Sequence, residues 1–122
     1  MSNGVSIDPE AIENLRALSP DDGDVFLKDI IGIFLEDTPA RIAELRQARD
    51  DGDNARFTRA AHSIKGSSSN LGAIALRDLS AHLEQKSRQT GLLGLESGVD
   101  DLEAAYLTAK ATLEKIVASS PS

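Results

Sequence analysis

The spacing of apolar residues constrains this chain most. They recur every three to four positions almost from end to end, and no segment sustains the two-residue alternation of a strand. An all-α fold follows. Asp8 and Pro9 read as an N-cap and first helical position, predicting a short helix over residues 8–18. The run Ser19-Pro20-Asp21-Asp22-Gly23-Asp24 breaks it. The next segment, 24–50, carries Phe26, Ile30, Ile31, Phe34, Leu35, Ile42, Leu45 and Ala48. Because the phase runs through Pro39, the spacing predicts one continuous helix, kinked near that residue, rather than two. Asp50-Asp51-Gly52-Asp53 ends it and caps a helix over 54–71. Gly72 separates that helix from one over 73–90, and a turn at Gly91–Gly94 leads to the last, 95–118. In the last helix Leu95, Val99, Leu102, Tyr106, Ala109, Leu113 and Ile116 alternate steps of four and three, which is a bundle-facing stripe. The tail Ser119–Ser122 is expected to fray. Short turns favour antiparallel neighbours. The expectation is one domain over 1–122: an antiparallel up-down four-helix bundle with a short N-terminal helix.

Composition then removes whole classes of function. A chain of 122 residues can bury roughly two-thirds of its unfolded surface, so it needs no disulfide or metal to fold. Cysteine is absent, which excludes a thiolate metal site, an iron–sulfur cluster and a cysteine nucleophile. With two histidines and no cysteine, no metal site is expected. Phe26, Phe34, Phe57 and Tyr106 are the aromatics, too few to stack bases or line a large apolar pocket. Thirteen basic residues face twenty acidic ones, a net charge of −7 that repels phosphate backbones and anionic lipid. No nucleic-acid or membrane partner is expected. The opening MSNGVSIDPE lacks the basic and apolar regions of a secretory leader, so a cytoplasmic location is the expectation.

The third helix carries the chemistry. At about 100° per residue, Phe57, Ala61, Ile64, Ser68 and Leu71 fall within about 40° of one line, the core face. His62 then lies about 140° from that line and points to solvent. Thr58, Lys65 and Ser69 flank it, and Gly66 sits one turn along on the same surface. Gly66 is costly in a helix interior, about 1 kcal/mol against alanine, so something there requires the absence of bulk. Charge is segregated as well. Residues 54–77 hold Arg56, Arg59, Lys65 and Arg77 and no acid, leaving nine basic and twenty acidic residues for the rest. An exposed imidazole beside a lysine, on a bare and basic surface, suits transient attachment of a phosphoryl group. Neutral imidazole nitrogen is a nucleophile, and nearby cations offset charge on the transferring oxygens.

The order His62-Ser63-Ile64-Lys65-Gly66, with Gly72 six residues beyond, resembles the signature of histidine-phosphotransfer (HPt) domains, the four-helix intermediates of two-component phosphorelays. The resemblance extends to Phe34-Leu35-Glu36-Asp37-Thr38-Pro39, to the Gly52-Asp53 turn and to Leu83-Glu84. It implies that His62 carries the phosphoryl group, that Lys65 supports the phosphate and that Gly66 leaves room for a partner receiver domain. The family often places a glutamine at the position of Glu84 to bond the imidazole. A carboxylate there can accept the ring N–H and fix the tautomer. Arg59, Thr58 and Ser69 complete the expected partner-binding face.

The resemblance implies a monomeric phosphoryl carrier, not an enzyme with its own ATP site, and the sequence shows no glycine-rich nucleotide loop. It would accept phosphate from a receiver-domain aspartyl phosphate of a hybrid histidine kinase and pass it to another response-regulator receiver. It needs no cofactor of its own, magnesium being expected on the receiver. Two other readings stay open: a non-catalytic helical interaction module, and the phosphoacceptor domain of a larger chemotaxis-type kinase. His82, outward on the fourth helix without helpful neighbours, is read as a solvated surface residue. The Ser67–Ser69 run is read as a solvated helix end.

Overall fold

The computed structural model describes residues 7–119. Five helices make up its regular structure, with no strand among the described residues: α1 (Pro9–Ala17), α2 (Val25–Asp51), α3 (Asn54–Leu71), α4 (Ile74–Thr90) and α5 (Glu96–Ser119). The predicted all-α bundle with a short leading helix is what forms. The predicted starts of α1, α2 and α4 shift by a residue because the capping residues Asp8, Asp24 and Ala73 belong to the flanks. Asp8 lies outside α1 and accepts the Glu10 N–H at 3.0 Å, and Ala73 is the N-cap of α4 rather than its first residue. Helix α5 extends through Ser119, and Ser120–Ser122 of the predicted tail lie outside the described residues.

Helix α3 packs between α2 and α4, and α5 closes the ring against α4 and α2. The stripes read from the sequence meet at the centre, where Phe57, Leu45, Ile64, Leu76, Leu83, Val99, Leu102 and Leu113 are all buried. Truncating a buried ring such as Phe57 to alanine costs about 3–5 kcal/mol. Helix α1 lies across α2 and α3. Its docking depends on Gly72, which ends α3 at φ 69°. A Cβ there would come within 2.7 Å of Ala11 Cβ, and the Gly72 carbonyl accepts the Asp8 N–H at 2.8 Å. Only glycine satisfies both the left-handed backbone and the close approach.

Pro39 sits inside α2, which continues through it as one helix. Proline has no N–H to offer the carbonyl four residues back, that of Leu35. Tyr106 of α5 fills the gap, its hydroxyl donating to the Leu35 carbonyl at 3.2 Å while its ring packs on Phe34 at 5.8 Å. The break in the helical ladder thus becomes a join between α2 and α5.

Candidate functional site

Asp53 sets the start of α3 by accepting the Arg56 N–H at 3.1 Å. From that start the core stripe turns inward: Phe57, Ala60, Ala61, Ile64, Ser68 and Leu71 are buried. His62 is turned out, with its side chain 63% exposed. The serine run beside it is explained locally. Ser67, Ser68 and Ser69 return their hydroxyls to helix carbonyls of Ser63, Ile64 and Lys65. Ser69 therefore spends its hydroxyl on the backbone and is not drawn into contact with His62.

The partner of His62 comes from α4. Glu84 is 3% exposed, and a carboxylate so buried needs compensation. It has three partners. The Nδ1–H of His62 donates to Oε2 at 2.9 Å. Arg88 Nη2 lies 2.9 Å from the same oxygen, and Lys65 Nζ lies 2.7 Å from Oε1. Burial alone would push the Glu84 pKa up, but the Lys65 and His62 hydrogen bonds and the charges of Lys65 and Arg88 outweigh it and hold the carboxyl below its ordinary range. An ionised carboxylate only accepts, so Nδ1 bears the ring hydrogen. In the neutral ring Nε2 then carries the free lone pair.

Thr58 and Ser87 form a second tie between α3 and α4, their hydroxyl oxygens 2.7 Å apart. Thr58, Arg59, His62, Ser63 and Arg88 line an open recess of about 270 Å³. Arg59 is exposed and forms no ion pair among the described residues. Gly66 is exposed, and a Cβ there would meet no atom within 4 Å. By contrast, a Cβ at Gly98 would strike Leu83 Cδ2 at 2.7 Å. Nothing in this chain's own packing requires glycine at position 66. His82 is exposed and has no hydrogen bond or ion pair among the described residues.

Two features correct the sequence reading. The stretch counted as locally basic is largely neutralised in three dimensions. Arg56 pairs with Glu44 at 3.2 Å and Asp51 at 3.5 Å, Arg77 with Asp78 at 3.0 Å, and Lys65 with Glu84. Counting charge over residues 54–77 misses Glu44 and Asp51 from α2, and Asp78 and Glu84 further along α4. Arg88 is the residue the sequence reading missed. Its signal was an i,i+4 spacing from Glu84, which gains meaning only once Glu84 is known to be buried beside His62. Among the described residues no group of three or more histidine, aspartate and glutamate side chains is placed to hold a metal ion. No helix among them is long and apolar enough to cross a membrane.

The same fold occurs in solved structures. Histidine-containing phosphotransfer protein B (HptB) from Pseudomonas aeruginosa PAO1 superposes with a TM-score of 0.83 at 23% identity, over 93% of this chain and 95% of that one. The histidine-containing phosphotransfer protein ZmHP2 from maize gives 0.73 at 21% identity, over 92% and 87%. The HPT domain of the Hpt sensor hybrid histidine kinase from Shewanella gives 0.70 at 17%, over 91% and 97%. No curated protein matches the chain in sequence. The family model for the Hpt domain does, over residues 29–115, which takes in α3, α4 and the whole cluster around Glu84: the chain belongs to the Hpt domain family.

Proposed function

We propose that this member of a histidine-phosphotransfer family accepts a phosphoryl group on His62 Nε2 from the aspartyl phosphate of a receiver domain and passes it to a second receiver. The observation that carries the reading is the His62–Glu84 bond of 2.9 Å, made by an exposed ring to a buried carboxylate. It keeps the hydrogen on Nδ1 and directs the Nε2 lone pair to solvent. Attack by Nε2 on phosphorus forms the N–P bond as the bond from phosphorus to the aspartyl oxygen breaks, and the aspartate leaves as a carboxylate. The ring becomes cationic, and Glu84 offsets that charge. The return step reverses this: the N–P bond breaks, and the departing imidazole is already neutral because Nδ1 kept its hydrogen. One hydrogen bond thus serves both directions, as a carrier requires.

Docking uses the outward face of α3 with the adjoining part of α2. Gly66 leaves that face bare one turn from His62, so two surfaces can close around one phosphoryl group. Thr58 and Arg59 lie on the same face. Magnesium belongs to the receiver's acidic pocket, and the donor is a hybrid histidine kinase. The protein acts as a monomeric carrier and takes no ATP. The test is incubation with a phosphorylated receiver, followed by mass-spectrometric location of the phosphate. Alkali-stable, acid-labile phosphate on His62 supports the reading. A chain left unlabelled by every receiver and by small phosphoryl donors would instead be a helical interaction module. Labelling by an ATP-bound kinase domain alone would make it a chemotaxis-type phosphoacceptor.

A further inference from the structure

Two openings lie beside the His62–Glu84 bond, and they share only one of their lining cations. The recess of about 270 Å³ is formed by Thr58, Arg59, His62, Ser63 and Arg88. A second, of about 410 Å³, is bounded by Lys65, Ala81, Glu84, Gln85, Arg88 and Gln89. His62 borders the first and Lys65 the second, while Arg88 borders both. The contacts agree with this division. Lys65 is held on Oε1, the carboxylate oxygen His62 does not use, whereas Arg88 shares Oε2 with the His62 ring.

We infer that Arg88 binds the phosphoryl group carried by His62, with Arg59 across the same recess, and that Lys65 acts through Glu84 as a positioning residue. The inference rests on the reading that His62 is phosphorylated on Nε2. A phosphoryl group there brings anionic oxygens into the recess lined by the two arginines. Arginine offers a planar fork of five donors suited to phosphate. Arg88 commits Nη2 to Glu84 and is otherwise 62% exposed, and Arg59 has no ion pair among the described residues to give up. Lys65 is placed differently. Moving it to the phosphate would strip a 3%-exposed carboxylate of a counter-ion at 2.7 Å, and a buried charge deprived of its partner is strongly unfavourable. The arginines bind the incoming anion without that loss.

The experiment uses the full chain with phosphoramidate, a donor that needs no docked protein. It compares wild type, Arg88→Gln, Arg88→Lys and Lys65→Gln. Labelling rate and phosphohistidine half-life report on the phosphoryl site. The ¹⁵N signals of the His62 ring, before phosphorylation, report on the tautomer set by Glu84. The expected result is at least a tenfold slower labelling and a shortened half-life in Arg88→Gln, with ring signals unchanged. Arg88→Lys, which keeps charge without the fork, should recover part of the rate, and it carries the test if Arg88→Gln does not fold. Lys65→Gln should instead move the ring signals toward a mixture of tautomers. Labelling of Arg88→Gln within twofold of wild type overturns the inference. So does a shift of its ring signals matching that of Lys65→Gln, because Arg88 would then act through Glu84. Wild type that takes no phosphate on His62 overturns the underlying function as well, and is seen before any variant is made.

Discussion

Two charge clusters fasten neighbouring helices of this molecule, and they are built the opposite way round. Between α2 and α5 one cation serves two anions, with Arg46 lying 3.0 Å from Asp100 and 2.6 Å from Glu103. Between α3 and α4 one anion, Glu84, serves His62, Lys65 and Arg88. The first cluster is open, with Asp100 67% and Glu103 46% exposed, while the centre of the second is 3% exposed. An exposed cluster with surplus acid is a fastener, its leftover charge dissolved in water. A buried acid ringed by nitrogen donors beside an exposed imidazole leaves a surplus of the other sign, which is the sign the proposed phosphoryl acceptance requires. The sign of the surplus and the burial of the central ion, more than the number of ion pairs, distinguish a site from a surface.

The sharpest way to break this contrast is to remove the imidazole. His62→Gln is expected to reduce phosphoryl acceptance to background while helicity and melting temperature hold, since the outward side chain contributes little to packing. His82→Gln, on the exposed face of α4, should label as wild type does. Phosphate retained in His62→Gln, or found on His82 at a normal rate, would show that the Glu84 cluster is a second fastener.

Next in size is the buried ion itself. Glu84→Ala should destabilise the fold by about 1–3 kcal/mol, the range for breaking up a buried hydrogen-bonded group, and should slow labelling because the ring loses its tautomer lock. Glu84→Gln separates charge from shape, and pH separates it further. The Glu84 pKa is lowered in the fold, so its stabilisation is complete above the ordinary value of 4.5 and is lost as pH falls through the folded value. The stability difference between wild type and Glu84→Gln, followed by urea unfolding, should therefore be constant near neutrality and shrink in acid. A difference that grows toward low pH would mean the carboxyl is protonated in the fold.

Much of the fold was legible in the sequence, because the core follows from periodicity and the outward placement of His62 follows from the same phase. Phe57, Ala61, Ile64, Ser68 and Leu71 fall on one line of α3, and fixing that line fixes His62 on the other side. What stayed hidden depends on contacts between helices. Tyr106 reaches the Leu35 carbonyl across 71 positions of sequence, so proline's missing donor and its replacement cannot be paired from spacing alone. Arg88 is an exposed arginine near a helix end until the burial of Glu84 is known. The apparent basic patch dissolved for the same reason, since Glu44 and Asp51 arrive from α2.

A smaller effect tests the bare surface beside the cluster. Gly66→Ala should raise stability by up to about 1 kcal/mol, the helix propensity gap, because a Cβ there meets no atom within 4 Å. Gly66→Gln should behave alike in the isolated fold and label normally with phosphoramidate, yet accept poorly from a receiver. If it melts lower and accepts normally, Gly66 serves internal packing and the docking face lies elsewhere.

The smallest expected effect belongs to the other cluster, and it decides whether the comparison means anything. Arg46→Ala removes both links between α2 and α5 at once. Arg46 is 34% exposed, and its partners are more open still. Water and salt screen such pairs, and ordering long side chains opposes the gain, so exposed pairs contribute only about 0.2–1 kcal/mol. The two acids set free in the variant face solvent and need no new partner, unlike the cations that Glu84→Ala would orphan around His62. Arg46→Ala should therefore lower stability by less than Glu84→Ala, by an amount that fades as salt is raised. Labelling of His62 should not change, since α2 and α5 are fastened here on the side of the bundle away from the α3–α4 seam. Urea unfolding at low and high salt, beside phosphoramidate labelling, checks both halves. A loss of labelling in Arg46→Ala would show that the α2–α5 join reaches the phosphoryl site, and the division between fastener and receptacle would have to be abandoned.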